Sequence, residues 1–177
     1  MKTQRFPPGR IFLIGVLAAC FLRLFVFDAV RISGDSMQPV LKNGRRVLVN
    51  KLAWGFRLPL TRHYIVRWAE PEAGDIAVFL HNGTFTVKRC AATAGMTLAF
   101  SDKNGYSITA GKQSIPLSKE QYGKLSVLFG PQSEHKGKLP PGTAFMLGDN
   151  GAASVDSRDY GPVYTDSFCG KVILAGK

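Results

Sequence analysis

Between Ile11 and Val30 the chain runs about twenty residues with only two charges, Arg23 and Asp28. This run limits what the remainder can become. As an α-helix it is about 30 Å long, the thickness of a bilayer's hydrocarbon core. Thirteen of its residues are Leu, Ile, Phe or Val. They contribute about −4 to −8 kcal/mol to insertion, against at most about +2.5 to +3.5 kcal/mol for Arg23 at the helix centre. Asp28 is near enough to the end to reach the interface. The balance favours a membrane anchor. Lys2, Arg5 and Arg10 precede the run, which keeps the N-terminus cytoplasmic and carries the following chain across the membrane. Two rival readings are a cleaved signal peptide using Ala18-Ala19 and a lipidated Cys20 in Leu17-Ala18-Ala19-Cys20. Ala18-Ala19 is a weak cleavage signal, and the residues after Cys20 stay apolar where a lipoprotein turns polar.

The chain therefore divides into a cytoplasmic N-terminus and anchor, 1–30, and one domain, 31–177. The net charge is +11, spread along the chain and unaccompanied by any nucleic-acid motif, so no nucleic-acid partner is expected. An anionic bilayer surface or a plain basic surface accounts for it. Of three cysteines, Cys20 lies in the apolar run. Cys90 and Cys169 are then either a disulfide formed in an oxidising compartment or two separate buried thiols. No zinc-type spacing occurs, and His63, His81 and His135 are scattered. Neither a metal nor another cofactor is expected.

After Arg31 short apolar runs alternate with turn signals. Arg46 to Val49 reads as a strand after Asn43-Gly44. Ile76 to Leu80 and Phe85 to Ala91 flank His81-Asn82-Gly83-Thr84, a strong hairpin signal. Asn104-Gly105 marks a second hairpin. Ala144 to Leu147 and Lys171 to Leu174 read as strands, and Ser118 to Leu125 as a short helix. The expected fold is mostly β: a small antiparallel β domain, barrel-like in form, behind an N-terminal transmembrane helix. Trp54, Phe56, Leu58 and Leu60 are candidates for dipping into the membrane interface.

Three stretches carry candidate chemistry. Ser33-Gly34-Asp35-Ser36-Met37-Gln38-Pro39 is a turn in which Gly34 permits an unusual backbone conformation, able to present the Ser36 hydroxyl and N–H to one carbonyl. Alone it is equally a polar turn. Thr86-Val87-Lys88-Arg89 lies on the second hairpin strand, where alternation puts Lys88 on the face of Thr86 and opposite Val87 and Phe85. A buried lysine can lose enough basicity to serve as the base a serine needs; a lone strand lysine is more often solvated. Leu147-Gly148-Asp149-Asn150, followed by Ser154-Val155-Asp156-Ser157-Arg158-Asp159-Tyr160-Gly161, is a loop of short polar side chains suited to a hydrogen-bonded network or a plain surface turn.

Taken in order, these stretches resemble the boxes of type I signal peptidases. Gly34 to Pro39 resembles the nucleophile box, Val47 to Leu52 the strand after it, and Gly74 to Phe79 the next box. Lys88-Arg89 resembles the base-bearing box and Gly148 to Arg158 with Gly161 the last one. The resemblance covers about half the chain and implies a serine peptidase with Ser36 as acylated nucleophile and Lys88 as general base. It implies that Ser154 orients the lysine, that Asp156 and Arg158 form a supporting ion pair, and that the Ser36 N–H is an oxyanion donor. Gly34 and Asp149 join the supporting set. Gly34 stands where some members carry a second oxyanion hydroxyl, Val40 replaces a usual threonine, and Arg45 replaces an acidic residue. The short chain and divergent boxes look most like the TraF-type peptidases of conjugative plasmid transfer. That subgroup implies a membrane-bound pilin precursor as substrate, a product that is either linear or closed into a circle, and a bacterial inner-membrane location with the domain on the periplasmic side. A general signal peptidase acting on many preproteins, a self-cleaving repressor protease, and a non-catalytic pilus or secretion assembly protein are the alternatives.

Overall fold

The structure is a computed structural model describing residues 8–58, 61, 63–111, 113–132 and 137–175. Lys2, Arg5, Leu60 and His135 lie outside the described residues. Helix α1, Pro8–Phe21, runs on through a π-helical turn, Leu22–Val26. Residues Gly9–Val26 make an apolar helical span, exposed but for the half-buried Phe25 and Val26 at its end and long enough to cross a membrane. The helix stops four residues short of the expected anchor end. Phe27–Arg31 instead forms strand β1, antiparallel to β2, Arg46–Asn50. Asp28 meets Lys51 at 3.3 Å, and the Lys51 ammonium also donates to the Arg23 and Leu24 carbonyl oxygens. That lysine ties the helix end to the sheet.

The short strands β3, Gly55–Phe56, and β4, Val66–Arg67, pair with each other. Next come β5, Ile76–His81, and β6, Thr84–Thr93, then β7, Leu98–Ser101, β8, Ser107–Ala110, and β9, Gln113–Pro116. Helix α2, Lys119–Phe129, is followed by β10, Thr143–Leu147, the single turn α3, Ser157–Tyr160, β11, Val163–Tyr164, and β12, Phe168–Ala175. The main sheet has the order β1-β2-β12-β5-β6-β10-β11, every pair antiparallel. It is an open sheet with β1 and β11 at its edges, not a closed barrel. Strands β7 to β9 form a separate three-stranded sheet.

Both expected hairpins are present. Asn82 and Gly83 take positive φ, 47° and 78°, as a two-residue type I′ connection requires. Gly105, at +95°, turns the chain between β7 and β8. Ser118 caps α2 in a box with Gln121, each side chain bonding the other residue's backbone N–H, and this fixes where the helix begins.

Strand β5 is buried on both faces. Ala77 and Phe79 point into a cluster with Trp54, Cys90, Met146 and Phe168, while Val78 points the other way among Ile32, Met37, Leu41, Val47 and Val49. Trp54, only 2% exposed, is thus a core residue and not an interfacial one. Its ring lies 5.4 Å from that of Phe168. Phe56 stacks at 5.9 Å on Phe25, at the base of the anchor; Leu58 is 45% exposed.

Cys90 and Cys169 are free thiols. They lie on β6 and β12, with β5 between them. Two strand spacings put about 9–10 Å between their backbones, beyond the reach of a disulfide. The two thiols are therefore separate, with Cys90 buried and Cys169 only half-buried. Protein unfolded without reductant should be alkylated at both Cys90 and Cys169, read by peptide mass; a mass lower by two hydrogens with both residues unlabelled would contradict this arrangement.

Candidate active site

Ser36 is carried by the loop after β1. Ile32 and Met37 are buried on either side of it, while Gly34, at φ +88°, lets the chain turn outward between them. Ser36 is left half-buried. Among the described residues its N–H donates to no protein acceptor. Its carbonyl oxygen accepts from the Asn150 N–H at 2.9 Å, and the Asn150 side-chain amide donates to the Asp35 carbonyl oxygen at 3.2 Å. The loop that begins at Gly148 thus clamps the segment bearing Ser36.

Lys88 sits mid-strand in β6, directly opposite Ala77 of β5. The small partner leaves room for the long side chain to lie over the sheet, and the 148–160 loop covers it, leaving the residue 4% exposed. Its ammonium nitrogen bonds Ser154 Oγ at 3.0 Å, and Ser154 Oγ donates onward to Asp156 at 2.7 Å. Burial pushes the Lys88 pKa below the usual lysine value; nearby Asp156 opposes that shift and Arg158 reinforces it.

Asp156 is fully buried and gathers five donors. They are the Ser154 hydroxyl, the Gly148 N–H at 3.0 Å, the Arg158 N–H at 3.1 Å, and Arg158 Nε and Nη2, both at 2.9 Å. Burial alone would raise its pKa, but Arg158 and the other donors hold it below the ordinary carboxylate value. Arg158 in turn is raised, first by its bond to Asp156. Asp156 also caps α3 in a box with Asp159. Asp159 is held by the Gln121 amide at 2.6 Å, and the Lys124 ammonium donates to its carbonyl oxygen. Helix α2 therefore braces the loop. The β6–β10 register shifts between Phe145 and Met146, with Ala91 of β6 as the extra residue, and Ser157 Oγ accepts from the Met146 N–H at 2.8 Å.

The family model described as "Signal peptidase, peptidase S26" matches residues 7–175. The chain belongs to that family. A signal peptidase I of Bacillus caldolyticus is 31% identical over 97% of this chain and 92% of its own length. Signal peptidase I T of Bacillus subtilis is 34% identical over 85% of this chain and 74% of its own. A signal peptidase I of Pseudomonas aeruginosa is 28% identical, and there the match spans only 61% of the relative's length. A crystal structure of a signal peptidase I from Enterococcus faecalis covers 59% of this chain and 98% of that one, with a TM-score of 0.42 at 24% identity.

Within this S26 fold the structure joins four of the residues singled out from the sequence, Lys88, Ser154, Asp156 and Arg158, in one bonded chain. It anchors the Ser36 carbonyl to the same loop. Gly34 shapes the Ser36 turn and touches none of the four. Asp149 also stands apart from that chain: it takes a two-pronged bond from Arg89, at 2.7 and 2.8 Å. Arg89 adds a bond to the Gly74 carbonyl at 2.9 Å, so it straps β6 to the 148–160 loop and to the turn before β5. Sequence reasoning did not single out Arg89 or Asn150 as site residues. The signal was available, since a fixed cation beside Lys88 and a fixed anion beside Gly148 are natural partners once the two boxes converge.

Gly148 matters for space. A Cβ there would stand 2.5 Å from the Ser36 carbonyl oxygen and would collide with Ser154 Oγ. Gly148→Ala should force the two segments apart, lowering stability by about 1–3 kcal/mol and removing most activity. Thermal unfolding and a processing assay check this; an unchanged melting temperature would show that the approach is looser than the geometry states.

Proposed function

We propose that this chain is a membrane-bound serine endopeptidase that removes signal peptides from exported preproteins, with Ser36 as nucleophile and Lys88 as general base. The observation that carries the reading is the setting of the lysine, buried and bonded to a serine that itself donates to Asp156. The Ser154 proton is engaged by Asp156, so Ser154 Oγ can only accept from Lys88. That bond uses an N–H of Lys88 and leaves the lone pair of a neutral amine free for the Ser36 proton. Burial lowers the Lys88 pKa, toward the neutral amine that this step needs. Ser36 Oγ then attacks the scissile carbonyl as Lys88 takes its proton, and the unpaired Ser36 N–H stabilises the oxyanion. Lys88 returns the proton to the leaving amine, and water, deprotonated by the same lysine, hydrolyses the ester. Ser154, Asp156 and Arg158 position the base, while Gly34 and Asp149 shape the loops around it.

In this reading residues 1–30 anchor the chain in a bacterial inner membrane, with the first strand taking up the last four of them, and 31–177 form the periplasmic peptidase domain. The substrate is a preprotein bearing an apolar segment in the same bilayer. The relatives named signal peptidase I favour a general role. The narrower reading, a pilin precursor of conjugative transfer whose ends are joined, rests on the short chain and divergent boxes. Co-expression with a signal-peptide reporter and, separately, a pilin precursor, each followed by intact mass, distinguishes them. Cleavage of the reporter at its signal junction supports the general role. Processing of the pilin alone, to a product one water lighter than the linear chain and lacking a free N-terminus, supports the narrower one. No processing of either by the folded, membrane-inserted protein would overturn the proposal.

A further inference from the structure

A groove of about 580 Å³ lies where the membrane helix meets the sheet, and it is lined by Leu22, Arg23, Phe27, Arg31, Arg46 and Leu48, among others. Its construction follows from strand alternation. On β1, Asp28 and Val30 are half-buried while Phe27, Ala29 and Arg31 are exposed. On β2, Val47 and Val49 are buried, and the outward positions belong to Arg46, Leu48 and Asn50. The register sets Arg31 opposite Arg46 and Ala29 opposite Leu48. One face of this edge hairpin is thus arginine-tipped with an apolar floor, and Arg23 of the helix end enters the same groove. Like charges directly opposite on neighbouring strands repel. Even so, among the described residues none of the three guanidiniums makes an ion pair or a side-chain hydrogen bond. The acid at the rim, Asp28, is already engaged by Lys51.

We propose that this groove binds the headgroup of an anionic phospholipid, with Arg23, Arg31 and Arg46 around the phosphate and Leu22, Phe27 and Leu48 against the upper acyl chain. The inference rests on the reading of α1 as a membrane anchor. Two features select a lipid. The groove is continuous with the apolar span that ends at Val26, so its floor begins where the hydrocarbon core gives way to headgroups. Guanidinium is suited to a phosphate because its planar fork offers paired donors. The groove also lies on the face of the hairpin opposite the apolar cluster of Val47, Val49 and Met37, so an occupant there leaves the Ser36 loop uncovered. A bound lipid would set the tilt of the domain over the membrane and hold the hairpin that leads into the Ser36 loop.

The test uses full-length protein reconstituted from mixed phosphatidylcholine and phosphatidylglycerol vesicles, gently extracted, with retained lipid identified by native mass spectrometry. Wild type is expected to retain phosphatidylglycerol in preference to phosphatidylcholine. Arg23→Gln, Arg31→Gln and Arg46→Gln should each reduce that preference about fivefold, the worth of one basic residue at an anionic surface. The triple variant should lose it. Removing the same charge far away, by Lys103→Gln, Lys119→Gln and Lys138→Gln together, should leave it unchanged. An intact preference in the triple variant, or an equal loss in the lysine control, would overturn the headgroup site. Alkaline carbonate extraction separates this from failure of the anchor reading: wild type released by carbonate overturns both, whereas resistance to carbonate with no lipid preference overturns the site alone.

Discussion

Ser36→Ala and Lys88→Ala are each expected to reduce processing by a factor on the order of 10⁴–10⁶, to the background of substrate binding alone, since the proposed nucleophile and base act as one unit. Lys88→Arg should be as inactive, because a guanidinium keeps its proton at any usable pH. Both alanine variants should remain folded and membrane-bound. Lys88 makes its hydrogen bond to a serine that keeps Asp156 as a partner, so its removal strands no buried charge. The pH profile adds a second readout. Burial lowers the Lys88 pKa, so activity should rise with pH through that lowered value, where the amine becomes neutral, and not through the ordinary lysine value near 10.4. Stability follows the same group. Below the folded pKa both states carry the proton and the cost of burying it is fully present. As pH rises from the folded to the unfolded value the unfolded chain binds more protons, so stability increases across that window. Lys88→Met should remove this alkaline rise. Processing by folded Lys88→Ala at a tenth of the wild-type rate would exclude Lys88 as the base.

The parts of the molecule legible in the sequence are those decided locally. Asn82-Gly83 sets a two-residue turn whatever surrounds it, and the β5–β6 hairpin formed as its apolar runs indicated. Ser118 and Gln121 cap α2 through atoms three residues apart. The residues of the boxes were visible as types in order, which is why Lys88, Ser154, Asp156 and Arg158 could be named before their contacts were known. What was not legible depends on distant partners. Phe27 to Val30 continues the apolar run apart from Asp28, and hydropathy does not separate a lipid-facing helix from a strand paired with residues 47–50. Trp54 reads as interfacial until Phe168, more than a hundred residues later, is found against it. Arg89 and Asp149 are sixty residues apart, and their pairing exists only because β6 and β10 are neighbours in the sheet.

Asp156→Ala is expected to be strongly destabilising, costing about 3–5 kcal/mol, because breaking a buried ion pair leaves an uncompensated charge. Arg158 would keep its guanidinium with an 11% exposed side chain and lose both of its bonds to the carboxylate. The Gly148 N–H and the Ser154 hydroxyl would lose their acceptor as well. α3 would lose its cap, and with it the bracing of the loop against α2 through Asp159. Activity should fall with stability, since Ser154 would then be free to turn its proton toward Lys88, removing the arrangement that leaves the lysine lone pair available. Asp156→Asn separates the two effects. It keeps the shape but cannot accept from all five donors, so it should fold at reduced temperature and still be impaired. The wild-type acid limb has a definite sign. The Asp156 pKa is lowered in the folded state, so its stabilisation is complete above the unfolded value near 3.9 and is lost as pH falls through the folded one. In the Asp156→Ala protein that part of the acid transition should be missing. Chemical denaturation of wild type and both variants across acid pH measures it; a variant as stable as wild type near neutrality, with an identical acid limb, would show that the buried carboxylate holds nothing together.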